Sequence, residues 1–494
     1  MKNIVKIVLV STFMMLGSCS EFLNEDLKGT YSTESFYQTE EHAFLALTGI
    51  YNIVSFASTN NALWVFGDVA SDDALKGGSA GDQNDIQSLD DFTYSRNNGF
   101  IEKIWKYYYE GITRANYLLL FGSSIQMDPD EKAKILGEAK FLRAYFYFNL
   151  VNIFGEVPLK TQPPLNSELI NIGKSDVSDI YAQIEADLQD AILVLPESHS
   201  GFEGRATLGS AYGLLAKAAL YQEKWQESLD AIEALDIIGQ YNLDPMYTAA
   251  FSSATQNGIY SIFEVQHLSG QIPKLGSHLN QWFGSPDDNG YFFNVPLQNF
   301  VNEFEISSGG VTDPRLDYTV GQSGQNWING EPFDPTWSPT GYLQKKHLQP
   351  LAEEPVIGDA GLNYVYLRYA DILLMKAEAL NELSRGAESI LPLNTVRRRA
   401  RESYLNDTEL PGFGTVPVGL LPDVLDVGQS GLRTAIRHER RVELGFEFHR
   451  FFDLMRYGQT VAEAALSDTN FSYSEHRYFP IPQSEVDTNT KIEN

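Results

Sequence analysis

Apolar residues keep helical spacing over most of this chain, but the pattern fails between Gly258 and Gly361. That stretch is rich in glycine, proline and aromatic residues, with short β-like runs such as Gly258-Ile259-Tyr260-Ser261-Ile262-Phe263. The two regimes restrict the fold to a helical scaffold interrupted by one insertion of about 100 residues. Connections so far beyond ordinary loop length usually carry function. On the scaffold side the spacing predicts helices over 40–56, 101–120, 130–154, 175–195, 207–222 and 225–238. It predicts more over 366–383, 392–401 and 431–455, then an extended tail after Asp468. Ala43, Leu47, Ile50 and Val54 share a face of the first helix. Asp128-Pro129 caps the third, and Gly155-Glu156-Val157-Pro158 stops it.

The helices come in pairs. Leu214 to Tyr221, a short turn and Trp225 to Leu235 look like a tetratricopeptide unit, in which small alanines let two helices approach and an aromatic fills the gap. Tyr369 to Leu383 followed by Ala387 to Ala400 looks like another. The expected fold is mainly α: a tetratricopeptide-like helix-pair scaffold with a long, irregular, aromatic-rich insertion and a few short β strands. Trp105 and Trp225 fall on these helices and are expected in the core.

Cys19 is the single cysteine among 494 residues. It follows a basic start, Met1 to Lys6, an apolar run, Ile7 to Leu16, and the small pair Gly17-Ser18. The run is too short to cross a bilayer core, so it reads as a cleaved signal rather than an anchor helix. Leu16-Gly17-Ser18-Cys19 resembles a bacterial lipobox, whose cysteine becomes the lipidated (palmitate-type acyl) first residue; a plain secretory signal is the alternative. No thiol would then remain for a disulfide, for catalysis or for zinc, and the body must hold itself together by its core. Formal charge is −29, and loss of Lys2 and Lys6 with the signal takes it to −31. Such a body repels nucleic acid and anionic lipid head groups, and argues against a highly sulfated or uronate-rich ligand unless a local basic pocket overrides the average. No later segment has 18 uninterrupted apolar residues, so no transmembrane helix is expected.

A set of ordered motifs carries a wider resemblance. Phe36-Tyr37-Gln38-Thr39-Glu40-Glu41 opens it, and Glu138-Ala139-Lys140-Phe141-Leu142-Arg143-Ala144-Tyr145 with Phe154-Gly155-Glu156-Val157-Pro158 is its most recognisable stretch. Leu367-Arg368-Tyr369-Ala370-Asp371, Leu393-Asn394-Thr395-Val396-Arg397-Arg398-Arg399, Glu439-Arg440-Arg441-Val442-Glu443-Leu444, Asp453-Leu454-Met455-Arg456 and Phe479-Pro480-Ile481-Pro482 follow in order. Along nearly the whole mature chain this resembles the SusD/RagB family of outer-membrane nutrient-binding lipoproteins of Bacteroidetes type. The acidic start Ser20 to Asp26 resembles that group's surface-export signal, or is simply a tether. The resemblance implies a lipid-anchored, outward-facing protein of the cell outer membrane. It implies capture of an oligosaccharide for a TonB-dependent (SusC-like) transporter, with no catalytic step, cofactor or metal. The division expected is a signal peptide at 1–18, a lipidated tether at 19–30 and one domain at 31–494. Within that domain the scaffold covers 31–257 and 362–467, the insertion 258–361 and the tail 468–494. Arg143, Arg368, Glu378, Glu439, Arg440 and Glu443 are expected to pair inside the scaffold rather than to meet ligand.

Sugars present apolar C–H faces ringed by hydroxyls, so a site needs a flat exposed aromatic beside Asp, Asn, Gln or Arg. Four tryptophans lie outside the evident helices: Trp64, Trp282, Trp327 and Trp337. Trp282 is the leading platform, with Asn280 before it and Asp287, Asp288 and Asn289 behind. Trp327 sits in a similar polar setting; Trp337 lies between prolines; Trp64 precedes Asp72 and Asp73, near where the family resemblance places hydroxyl-binding acids. The alternative for each is packing: Trp64 beneath the loop from Lys76 to Asp85, the others sealing the insertion onto the scaffold. Tyr291 and Asn294 are further additions. A neutral glucan, β-1,3-glucan (laminarin) or starch, is the favoured ligand.

Rival readings remain. A helical-repeat scaffold or a peptide-binding transporter subunit would show the same helices. A glycoside hydrolase needs two carboxylates at a fixed separation, which 65 acids do not exclude by themselves. Gly77-Gly78-Ser79-Ala80-Gly81 matches a nucleophile elbow by letter but shows no strand before it or helix after it. The eight histidines form no HExxH, and neither acidic cluster has calcium-loop spacing.

Overall fold

The computed structural model describes residues 36–55, 62–354 and 356–492. Cys19 and the tether 19–30 lie outside them. The long helices are α1 (Glu40–Ser55), α2 (Gly99–Phe121), α3 (Pro129–Phe154), α4 (Val177–Ile192), α5 (Leu208–Tyr221), α6 (Trp225–Ile238), α7 (Tyr369–Glu382), α8 (Gly386–Arg401), α9 (Gly428–Leu444) and α10 (Arg450–Tyr457). Among the described residues no helix is long and apolar enough to cross a membrane. α3 is the centre of the scaffold, packing on α2 and α4. It is buried on every side from Phe141 to Val151, as a helix apolar all round must be. Its ends form as their residues require. The Asp128 carboxylate accepts from the Asp130 and Glu131 amides, and Gly155 leaves the helix at φ 70°.

The two tetratricopeptide-like pairs, α5–α6 and α7–α8, repeat each other residue by residue. Ser228 Oγ donates to the Ala216 carbonyl at 2.9 Å and Ser389 Oγ to the Ala377 carbonyl at 2.7 Å. Each turn carries one residue of positive φ, Glu223 at 59° and Ser384 at 62°. In each the next amide returns to the first helix, Lys224 to Ala219 and Arg385 to Leu380.

Among the described residues the strands form four antiparallel ribbons of two. They are β1 (Ala74–Gly77) with β5 (Phe293–Pro296), β2 (Val157–Pro158) with β3 (Lys174–Ser175), β4 (Ser261–Val265) with β8 (Tyr364–Arg368), and β6 (Val320–Gly321) with β7 (Leu343–Gln344). Two expectations need correcting. The helix predicted over 431–455 is α9 and α10, broken at Gly445, where a Cβ would run into the Phe300 ring. The tail is not simply extended: it holds short helices at Tyr473–His476 and Gln483–Thr488, and the Phe479 amide donates to Ile153.

The expected ion pairs form, and they run deep. Glu443 receives Arg368 at 2.7 Å and Arg315 at 3.0 Å, and it also pairs with Arg399. Glu439 takes Arg315 and Arg397; Arg440 takes Asp371 and Asp453; Arg456 pairs with Glu378; Arg143 pairs with Asp187. Burial alone would raise the Glu443 carboxyl, but Arg399, Arg368 and Arg315 hold it well below the usual range. Insertion residues Asp313, Arg315 and Lys346 share this network with α9 and the residues just after it, tying the two regimes together.

Candidate functional site

Trp282 sits on a one-turn helix, Leu279–Phe283, half-buried. Beneath it lie three buried rings, Trp64, Phe283 and Phe293. The Trp282 centroid is 5.6 Å from Trp64 and 5.0 Å from Phe293. Tyr291, 45% exposed, stands edge-on to Trp282 at 6.0 Å and 85°. The loop between them is clamped by its own backbone: Gly290 donates to Ser285, Tyr291 to Gln281 and Phe292 to Gly284. A Cβ at Gly290 would strike the Gly284 carbonyl, so the loop closes only with glycine there. Asp287 and Asn289 are exposed at the turn, and Gln281, just before Trp282, is half-exposed with its amide oxygen close to Gly358. The result is a rigid aromatic ridge of two rings bordered by a carboxylate and amides, which can take a sugar face and its hydroxyls together.

Residues 260–494 match the model of the SusD family, and residues 31–220 match one described as starch-binding associating with outer membrane. The chain belongs to the SusD family. Two SusD-like proteins of Formosa agariphila are 26% and 27% identical to it, the first over 98% of this chain and 96% of the relative, the second over 99% and 98%. A solved laminarin-binding SusD-like protein superposes with a TM-score of 0.76 at 29% identity, covering 92% of this chain and 99% of that one. Surface glycan-binding protein A of Bacteroides thetaiotaomicron, solved with laminarihexaose, gives 0.73 at 22% identity over 91% and 98% and shares the fold.

In this SusD-family chain the other expected site residues are placed differently. Trp64 is fully buried as the floor under Trp282, so it offers no face to a surface ligand. Asp72 and Asp73 are buried too. Asp72 accepts from Arg450 at 2.7 and 2.8 Å and pairs with Arg441 at 3.0 Å; Asp73 pairs with Arg441 at 2.7 Å. Burial opposes ionisation of Asp72, but the Arg450 and Arg441 guanidiniums outweigh it and lower the carboxyl. These acids hold α9 and α10 against the residues before β1. Asn280 accepts from the Gln349 amide at 2.8 Å and donates to Glu354, so its amide is spent inside the fold. Trp327 is 2% exposed and its Nε1 donates to Asp288 at 2.7 Å. Trp337 is half-buried and packs edge-on against Phe333 at 5.2 Å and Trp327 at 5.9 Å. Asn294 is buried and donates to Asp68. Asp288 also accepts from Ser285 Oγ at 2.7 Å, so one carboxylate fastens the Trp327 hairpin to the Trp282 loop.

The structure adds Gln281 and the exposed loop 79–85 to the rim. The Gly78 amide donates to the Phe292 carbonyl, which lays that loop beside the aromatic ridge. Positive φ at Gly77 and Gly78, 72° and 65°, makes the turn. A strand does precede the elbow-like segment, contrary to the sequence reading, but the helix after it begins only at Asn84, so the tight strand-to-helix turn is missing. One group of potential metal ligands stands together among the described residues, Glu305, His438 and Glu439. Its carboxylates already face Arg397 and Arg315, which makes it an ion-pair cluster rather than a cation site.

Proposed function

We propose that this protein is a lipid-anchored glycan-binding subunit of the outer membrane. It captures a neutral glucan, a β-1,3-glucan before starch, on the Trp282–Tyr291 ridge and hands it to a TonB-dependent transporter without cleaving it. The observation that carries this reading is the pair of partly exposed rings on a loop locked by its own backbone, with Asp287, Asn289 and Gln281 at the rim. The similarity to a laminarin-binding chain supports the β-1,3 linkage. Lipid attachment at Cys19 rests on the lipobox-like segment, and the transporter on membership of the family. The test is calorimetric titration of the purified protein with laminarihexaose and with maltohexaose. Saturable heat with laminarihexaose, weakened at least about tenfold in Trp282→Ala and in Tyr291→Ala, is expected, because a stacked sugar ring loses its platform. No heat with either sugar overturns the glucan reading and moves the weight to a peptide ligand.

A further inference from the structure

A second cleft lies away from the aromatic ridge and shares no residue with it. It encloses about 650 Å³ between the tail segment Arg477 to Ile481, Arg96 ahead of α2, and Lys174 of the β2–β3 ribbon. A smaller hollow of about 370 Å³, walled by Tyr181 and Phe452, continues on the other side of Arg477 and Tyr478. Both hollows are lined by Val177, Arg477 and Tyr478, so they adjoin across these residues.

The groove's charge is unusual for this chain. Of 18 arginines, all described, 14 are ion-paired. Among the described residues the four that meet no carboxylate are Arg96, Arg398, Arg437 and Arg477. Arg437 is covered by the Tyr457 ring at 3.9 Å, and Arg398 is exposed on α8 among its neighbouring arginines. The other two, far apart in sequence, both line this groove. In a chain of net charge −29, two arginines without a carboxylate partner lining one groove are a local device rather than a reflection of composition. Arg477 is also held in place: its guanidinium lies 5.4 Å from the Tyr473 ring centroid and 5.1 Å from that of Tyr478. Tyr478 in turn lies against Gly155, where a Cβ would come within 2.8 Å of the ring. Lys174 also lines the groove, paired at 3.1 Å with Glu156 of the same wall; both are exposed, so the pair is weak, and the lining keeps a net positive charge from the two arginines. Phe154, Pro480 and Ile481 supply apolar wall.

We propose that this groove is a second saccharide site, one that takes the oxyanion of an acidic sugar, a sulfate ester or a uronate carboxylate, on Arg96 and Arg477. A planar guanidinium with its donors unspent matches such oxyanions bidentately, and the apolar wall takes the ring's C–H face. This goes beyond the neutral-glucan site and does not depend on it.

The experiment titrates the purified protein with a carrageenan hexasaccharide, its chemically desulfated counterpart, an oligogalacturonate and laminarihexaose. The same series is run on Arg96→Gln/Arg477→Gln. Saturable heat is expected with the sulfated or the uronate sugar, and which one binds identifies the oxyanion. It should weaken as salt rises from about 50 to about 300 mM. The double variant should lose at least about tenfold in affinity, from two charge-assisted contacts, while its laminarihexaose heat is unchanged. Since neither arginine has a carboxylate partner, the variant should keep its melting temperature; if it does not, Arg477→Lys, which retains the charge but loses the planar fork, is read instead and should bind more weakly. Absence of heat with both acidic sugars, equal binding by wild type and variant, or equal binding of the desulfated sugar overturns the proposal. Laminarihexaose on the same samples reads the loop site separately, so the two proposals fail independently.

Discussion

At Trp64 and Trp282 two indoles 5.6 Å apart do different work. Trp64 is buried with no acceptor for its Nε1 among the described residues, whereas Trp282 keeps solvent access. Trp64→Ala should therefore cost about 3–5 kcal/mol of stability in urea unfolding, the usual penalty for emptying a core aromatic site. Trp282→Ala should cost much less and act on glucan affinity instead. Glu443 is a second residue-scale case. Glu443→Gln leaves Arg399, Arg368 and Arg315 facing a neutral amide in the interior, and a loss of about 3–5 kcal/mol is expected by the same measurement. The pairing role of Glu443 was legible from its motif, because a buried charge must find a partner wherever it folds. The duty of Trp64 was not, since a loop tryptophan beside acids looks the same whether a ring or solvent covers it.

At the scale of elements, local spacing predicted α1 to α8 closely, and capping residues accounted for the ends of α3. The repeat between α5–α6 and α7–α8 is visible only as a loose likeness in sequence, because the matching positions Ser228 and Ser389 are single serines among unlike neighbours. Each bonds a carbonyl of the facing helix, so Ser228→Ala and Ser389→Ala should each lower stability by about 1–2 kcal/mol by leaving a buried acceptor without its donor. The break between α9 and α10 was missed for an equally physical reason. Glycine is tolerated within helices, and what ends α9 is the Phe300 ring pressed against Gly445 from far along the chain. The turn that results brings Glu447 to Arg368 and Lys346 and points the Phe448 amide at Asp68.

For the whole molecule, buried acids act in two opposite senses. Burial lifts Asp68 to about 8 and Asp90 to about 7. Their folded-state protons are held more tightly than in the unfolded chain, so the stability they contribute is complete below about pH 4 and is lost as pH rises through 7 and 8. Burial acts the same way on Glu447 and Asp453, but Arg368 and Lys346 for the one and Arg440 and Arg456 for the other win, bringing both down to about 2. Their contribution is complete above about pH 4.5 and is lost as pH falls toward 2. The combined contribution of these four acids is therefore greatest at about pH 4 to 4.5 and falls on both sides, and Asp68→Asn should flatten the alkaline fall of the melting temperature. A maximum at pH 8 would contradict the assignment of Asp68. The proposed lipid anchorage gives an expectation for the whole chain: in the native host, Cys19→Ser should move the protein from the detergent phase to the aqueous phase and abolish acyl labelling.

The sequence by itself determined the helices from α1 to α8, the caps of α3, the two helix pairs and the family, because periodicity and capping are properties of neighbouring residues. Only the tertiary structure decided which tryptophans keep a face to solvent, and that two unpaired arginines share a groove. Exposure and charge pairing are set by surfaces that meet from distant parts of the chain. Trp64 is covered by the loop around Trp282, Trp327 is held by Asp288, and Arg96 and Arg477 line one groove only because the tail folds back against α3.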